Sequence, residues 1–182
     1  MKSGLTIRAD TAQSILDALK TFANKDVLVG IPESKDERDD GDIGNAAIGY
    51  INENGSPAQN ISPRPHLKPG VKSVEQDFIP HLKAAAQKAL EGNAEGAVTS
   101  LDRAGTVAAN GVKRYIIITG FTPLADSTVA ARARRGRAWA AKELASRAAG
   151  YAPNNANAKP LIDTGEYRRS ITHVVRDKDA DT

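Results

Sequence analysis

Residues 53–70 read ENGSPAQNISPRPHLKPG and contain four of the chain's nine prolines. Each proline fixes its own φ, lacks a backbone N–H and pushes the preceding residue toward extended geometry. We therefore predict an extended segment that is neither a helix nor a central strand. From position 61 onward apolar residues alternate with Ser62, Arg64, His66 and Lys68. In an extended chain this alternation predicts a dry side and a basic side for residues 61–70, which we call the proline arm.

Two interpretations of the proline arm remain open. A proline-rich connection can lie over the core of its own subunit. A segment that is already extended can also dock on a partner protein, because it loses little conformational entropy on binding.

The composition of the 182 residues restricts the class of protein. Hydrophobic residues make up 40% and aromatic residues 4%, so the core must consist mainly of Ala, Val, Ile and Leu. We expect a thin core, with part of the burial supplied by neighbouring copies. The absence of cysteine excludes disulfides and thiolate metal sites. We expect no membrane association, because no stretch of about 18 apolar residues occurs. A net charge of +3 is too small to indicate nucleic-acid binding by itself.

Hydrophobic periodicity predicts an α+β fold in a single domain covering residues 1–182. A short apolar run near 27–31 and an alternating run near 170–176 are the predicted strands of a small β-sheet. The predicted helices cover residues 10–24 and 45–54, a long helical hairpin at about 73–117, and a helical insertion at about 127–150. Asp10 or Thr11 is the predicted cap of the first helix, and the composition of residues 151–159 predicts a flexible linker.

The acidic residues between 33 and 44 suggest a calcium loop starting at Asp36, with Asp40 and Gly41 at its fifth and sixth positions. Arg38 and Ala47, however, occupy positions where oxygen ligands are required. We therefore predict a solvated charged loop.

No catalytic constellation is recognisable in the sequence. The three histidines, His66, His81 and His173, include no pair at the i, i+4 spacing of a helical metal site. Phosphate-loop, nucleophile-elbow and dinucleotide-binding patterns do not occur either. We predict a protein that is not an enzyme and that uses no cofactor or metal.

Four arginines lie within six residues, at Arg132, Arg134, Arg135 and Arg137. Such a cluster can neutralise phosphates, so these side chains are candidates for non-specific contact with DNA. Pairing with an acidic neighbouring subunit is the alternative.

Two motifs, the second of which has two separate parts, resemble those of a known protein family. GYINENGSPAQNISPRPHLKPG, at 49–70, is similar to the E-x-G-[ST]-P … P-x-R-P-F-L-[RK]-P segment of tail-completion or head–tail joining (neck) proteins of tailed bacteriophages, the minor tail protein Z-like proteins. PLADST at 123–128 and KPLIDTGEYRRSI at 159–171 resemble that family's P-L-x-x-S-T … K-P-L-x-D-T-G-x-[LY]-R-x-S-I pattern. The matches occur in the family's order, with His66 where the family usually has an aromatic residue. The stretch 130–157 is longer than the usual spacer.

The resemblance implies a structural virion protein rather than an enzyme. Such a subunit forms a homo-oligomeric ring, expected to be sixfold, in the neck or at the end of the tail, after assembly in the host bacterial cytoplasm. Its expected neighbours are the tail terminator or tail tube protein on one side and the head connector or adaptor protein on the other, with DNA passing through the lumen. A tail terminator and a non-specific DNA-binding protein are the alternative functions.

A closed ring is built from heterologous interfaces, so each copy must present two different surfaces. The proline arm is the candidate for one surface, through Arg64, Pro65, His66, Leu67, Lys68 and Pro69. Trp139 and the turn formed by Leu161, Asp163, Thr164 and Gly165 are the candidates for the other.

Overall fold

The computed structural model describes residues 12–38 and 43–178. These residues form eight α-helices and a small two-stranded antiparallel sheet, which confirms the predicted α+β fold. The strands are β1 (Lys25–Gly30) and β2 (Thr172–Asp177). The helices are α1 (Ala12–Ala23), α2 (Asn45–Asn54), α3 (Leu67–Lys72), α4 (Glu75–Leu90), α5 (Ala94–Ile118), α6 (Asp126–Arg134), α7 (Ala138–Ala148) and α8 (Glu166–Ser170). No helix in the described ranges is long and apolar enough to cross a membrane.

Several sequence predictions concern residues that the structure does not describe. The predicted cap at Asp10 or Thr11 and the loop positions Asp40 and Gly41 lie outside the described ranges. The predicted helix over 45–54 is confirmed residue for residue. It ends at Gly55 because that residue has a φ of 78°, which glycine adopts without steric cost.

The chain divides into two compact units. The first contains the described residues within Met1–Leu28, Val74–Ala108 and His173–Thr182. In it α1 packs on α4, and small side chains such as Ala18 and Ala85 are fully buried. Small side chains allow the two helix backbones to approach closely.

The second unit consists of Val29–Ser73 and Ala109–Thr172 and contains every residue of the candidate site described below. Its main core is a cluster of buried side chains from Val112, Ile116, Phe121, Leu161, Tyr167 and Ile171. α3 lies against α5 so closely that a Cβ on Gly70 would be 2.7 Å from Cα of Val112. A smaller cluster joins α6 and α7 through Leu124, Val129, Ala140 and Ala158.

The proline arm is not extended to its end, which corrects the prediction for its last residues. α3 begins at Leu67, so Lys68, Pro69 and Gly70 are helical. Pro69 is tolerated because it lies in the first turn, where backbone N–H groups have no partner within the helix.

The region 127–159 differs from the prediction in two details. The predicted helical insertion at about 127–150 is helical, but it is divided into α6 and α7, because Gly136 adopts a φ of 79° between them. The predicted linker at 151–159 packs into the second unit, where Ala158 is fully buried. Asn157 Nδ2 donates to a carboxylate oxygen of Glu143 at 3.1 Å, which holds this segment against α7.

Candidate functional site

A polar cleft of about 450 Å³ lies where three separate stretches of the second unit meet. Its walls come from the stretches 60–64, 123–128 and 161–167, with Arg38, Ile48, Asn52, Arg132 and Arg135 completing the lining. These three stretches are the ones that carry the family resemblance. Their sequence separation hides the fact that they surround one cavity.

Arg64 of the proline arm is the most enclosed cation of this cleft. It is only 8% exposed, and its Nε and Nη2 donate to the backbone carbonyls of Thr122 at 3.1 Å and Pro123 at 3.4 Å. A third bond runs from Nη1 to the carbonyl of Ser62 at 3.3 Å. Within the described ranges Arg64 has no carboxylate partner, and burial lowers its pKa, although an arginine stays protonated in proteins.

Over residues 63–66 the two sides of the proline arm are reversed relative to the sequence prediction. Arg64 and His66 are buried, whereas Pro63 and Pro65 are exposed. The prediction of a basic outer side is therefore wrong at Arg64 and His66, because their polar groups find partners inside the unit. Pro65 and Lys68 are exposed, and their place in an interface stays a prediction.

A chain of polar contacts links α2, the proline arm and α8. The Glu53 carboxylate accepts the backbone N–H groups of His66 at 2.7 Å and Leu67 at 3.0 Å, and so caps the start of α3. The His66 ring donates from Nδ1 to the carbonyl of Arg64 at 2.7 Å, with Glu53 3.1 Å from the same nitrogen. Its Nε2 meets the hydroxyl of Tyr167.

His66 is neutral in this arrangement. Burial lowers its pKa and outweighs the opposing influence of the bond to Arg64 and the charge of Glu53. Nδ1 then carries the proton, and Nε2 accepts the hydroxyl hydrogen of Tyr167. Burial, with a smaller contribution from Glu53, raises the pKa of Tyr167, so this phenol remains protonated. The contact between the neutral His66 ring and the Tyr167 hydroxyl therefore links the proline arm to α8 without a charge on either group.

Three arginines of the predicted cluster converge on one carboxylate. Arg135 and Arg137 donate to Asp163 at 3.2 and 3.0 Å, and Arg132 lies 4.0 Å from it. Arg132 also donates to the carbonyl of Ile162 at 2.9 Å. Burial lowers the pKa of Arg132, an effect that Asp163 partly offsets. The cluster thus fixes the turn after residue 160, a role that the sequence did not indicate.

The remaining predicted site residues are distributed over the second unit. Trp139 lies beside the cleft, with the Arg132 guanidinium 5.5 Å from its ring centroid, a cation–π contact. Leu161 is buried and Thr164 is exposed, and both line the cleft. Gly165 lines it too, with a φ of 81°. Of the four predicted DNA-facing arginines, Arg132 and Arg135 line the cleft, whereas Arg137 and the exposed Arg134 lie outside its lining.

A second ion-pair network fixes the wall at 123–128. Arg147 donates to the carbonyl of Leu124 at 2.8 Å and to carboxylate oxygens of Asp126 at 2.6 Å and Glu143 at 3.0 Å. Burial by itself raises the pKa of Glu143, but hydrogen bonds from Asn157, Arg147 and a backbone N–H outweigh it, and the pKa is lowered. The charged groups of this network therefore pair with one another, although Nη2 of Arg147 is buried without a hydrogen-bond partner among the described residues.

Sequence reasoning did not identify Glu53 or Arg38 as parts of this site. Glu53 is the first residue of the E-x-G-S-P motif, and this position was the sequence signal that could have identified it. Arg38 contacts Glu166 at 3.3 Å, and this contact depends on tertiary packing, so no sequence signal pointed to it. No group of three or more His, Cys, Asp or Glu side chains that could hold a metal ion is found within residues 12–38 and 43–178. No family model, curated protein or solved structure matches the chain.

Proposed function

We propose that this chain is a structural virion protein of a tailed bacteriophage. It acts as a tail-completion or neck subunit, forms a ring with further copies and joins the tail to the head connector. The observation that carries the proposal is the meeting of the three motif-bearing stretches around one cleft.

The residues of the motifs have interlocking structural roles, which supports treating them as one signature. Glu53 caps α3, and Gly55 takes a φ of 78° that would strain any other residue. Arg64 bonds the carbonyl that precedes the P-L-x-x-S-T stretch. Tyr167 reaches back to the proline arm through His66. Contacts among the parts of one signature are what the proposal expects.

The outward groups of the same stretches are available for contact with neighbouring subunits. Pro63, Pro65 and Lys68 of the proline arm are exposed, and so is Thr164 of the turn. In this proposal the inner side of the arm holds the fold together and its outer side meets the adjacent copy. These two roles correspond to the two interpretations that the sequence left open.

Non-specific DNA binding is the weaker candidate. Arg132, Arg135 and Arg137 share Asp163, and Arg132 is mostly buried. Asp163 therefore offsets part of their positive charge, and Arg132 also donates to the backbone carbonyls of Lys159 and Ile162.

A loss-of-function experiment in the phage tests the proposal. Phage that lacks the chain should accumulate filled heads and separate tails, and supplied protein should restore infectious particles. Intact joined particles without the chain would reject the proposal, as would its location on the capsid shell.

A further inference from the structure

We infer that the polar cleft of the second unit binds a carboxylate-bearing segment of another protein chain. The inference rests on the charges and shape of the cleft and does not require a place in a virion. The ligand it specifies is an acidic peptide stretch, with Asp or Glu side chains entering between the arginines.

The cationic groups of the cleft outnumber their internal counter-charges. Arg132 and Arg135, which line the cleft, share the single carboxylate of Asp163 with Arg137, which lies outside the lining. Arg64 lines the same cleft with backbone carbonyls as its partners. An added carboxylate would meet guanidinium groups that the fold has already positioned and partly desolvated, which lowers the cost of binding.

The chemistry of the lining favours a protein carboxylate over a nucleic acid. A guanidinium presents a planar set of donors that matches carboxylates and phosphates alike in a bidentate arrangement, so the preference must come from the other lining groups and from the size of the cleft. The apolar walls from Ile48, Ile61 and Leu161 suit the aliphatic part of a peptide. Asp163, which also lines the cleft, repels carboxylates and phosphates alike and therefore does not distinguish between the two ligands. A concave cleft of about 450 Å³ also suits a few residues rather than an extended duplex.

The chain contains its own reporter for this binding. Trp139 is the only tryptophan, and the guanidinium of Arg132 lies over its ring. A carboxylate that engages Arg132 should therefore change the tryptophan emission. The experiment titrates the full chain with a capped tetraglutamate peptide, and a capped tetraglutamine peptide is the neutral control. Tryptophan emission and the heat of binding are both measured.

Two substitutions distinguish the cleft from general attraction to a basic surface. Arg135→Gln removes a cleft arginine whose side chain is 55% exposed, so the variant should fold. Arg134→Gln removes the same charge from an exposed neighbour that does not line the cleft. Arg135→Gln should weaken tetraglutamate binding roughly tenfold, as expected for one lost charge-assisted hydrogen bond, whereas Arg134→Gln should change it less than about twofold.

The inference predicts binding of tetraglutamate, no measurable binding of tetraglutamine and the difference between the two variants. It is overturned if the two peptides behave alike, or if Arg134→Gln weakens binding as much as Arg135→Gln. A short DNA duplex that binds more tightly than tetraglutamate and loses affinity in Arg135→Gln would also overturn it and assign the cleft to nucleic acid.

Discussion

Replacing Glu53 with alanine should destabilise the second unit by about 2 kcal/mol. The carboxylate accepts the N–H groups of His66 and Leu67 at 2.7 and 3.0 Å, and that of Lys68 at 3.5 Å. Losing a helix cap costs about 1 kcal/mol, and a hydrogen bond to a charged group contributes about 1.5–3 kcal/mol. The Glu53 side chain is 20% exposed, so water can replace part of what is lost. Glu53→Gln retains an acceptor oxygen and should cost about 1 kcal/mol.

Urea unfolding followed by Trp139 emission measures this effect, because Trp139 and Glu53 belong to the same unit. With a urea m-value of about 2 kcal/mol per molar, the midpoint of Glu53→Ala should fall by about 1 M. Glu33→Ala is the matched control, since Glu33 is an exposed acid of the same unit, and it should shift stability by less than about 0.5 kcal/mol. Equal losses in the two alanine variants would refute the capping role.

Three further predictions concern other contacts. Gly70→Ala places a Cβ against the backbone of α5 and should lower the free energy of unfolding, measured in urea, by about 1–3 kcal/mol. Gly120→Ala is the control, because a Cβ there meets open space, and it should be neutral or slightly stabilising. Equal effects of the two substitutions would contradict the close packing of α3 on α5. Because burial lowers the pKa of His66, its contribution to stability is present above about pH 6.5 and is lost as the pH falls through the lower folded-state value. The urea midpoint of His66→Gln should therefore fall less between about pH 7 and pH 5 than that of the parent chain, and parallel curves would count against a buried neutral histidine. Arg64→Ala should lower the free energy of unfolding by about 2 kcal/mol or more. Lys68→Glu should leave the free energy of unfolding unchanged and impair head–tail joining. The reverse pattern would contradict the assignment of Arg64 to the inner side of the proline arm and of Lys68 to its outer side.

The sequence predicted elements whose signals are local. The bounds of α2 were predicted correctly because Gly55 directly follows its last residue. The φ of 78° at Gly55 is typical of a residue at the C-terminus of a helix. The strands near 27–31 and 170–176 were found from short apolar and alternating runs, and the structure gives Lys25–Gly30 and Thr172–Asp177. These signals depend on neighbouring residues alone.

The orientation of the proline arm could not be predicted in the same way. Alternation identifies which residues share a side, but it does not say which side faces the core. Arg64 is buried because carbonyls at 122 and 123 accept its hydrogen bonds. Those acceptors are almost 60 residues away in the sequence, so no local sequence pattern indicates them.

The role of the arginine cluster was hidden for a related reason. Asp163 lies 26 to 31 residues beyond Arg137, Arg135 and Arg132, and their convergence depends on how α6 and α7 pack. Gly136 was visible in the sequence and could have signalled the break between these helices. The meeting of the three motif stretches required the folded chain.

Electron cryo-microscopy of assembled phage particles tests the central claim most directly. The account predicts density for this chain as a closed ring between the head connector and the tail, with Pro65 and Lys68 at the boundary between adjacent copies. Density for the chain elsewhere in the particle, or a ring in which this side of the proline arm contacts no other chain, would contradict it.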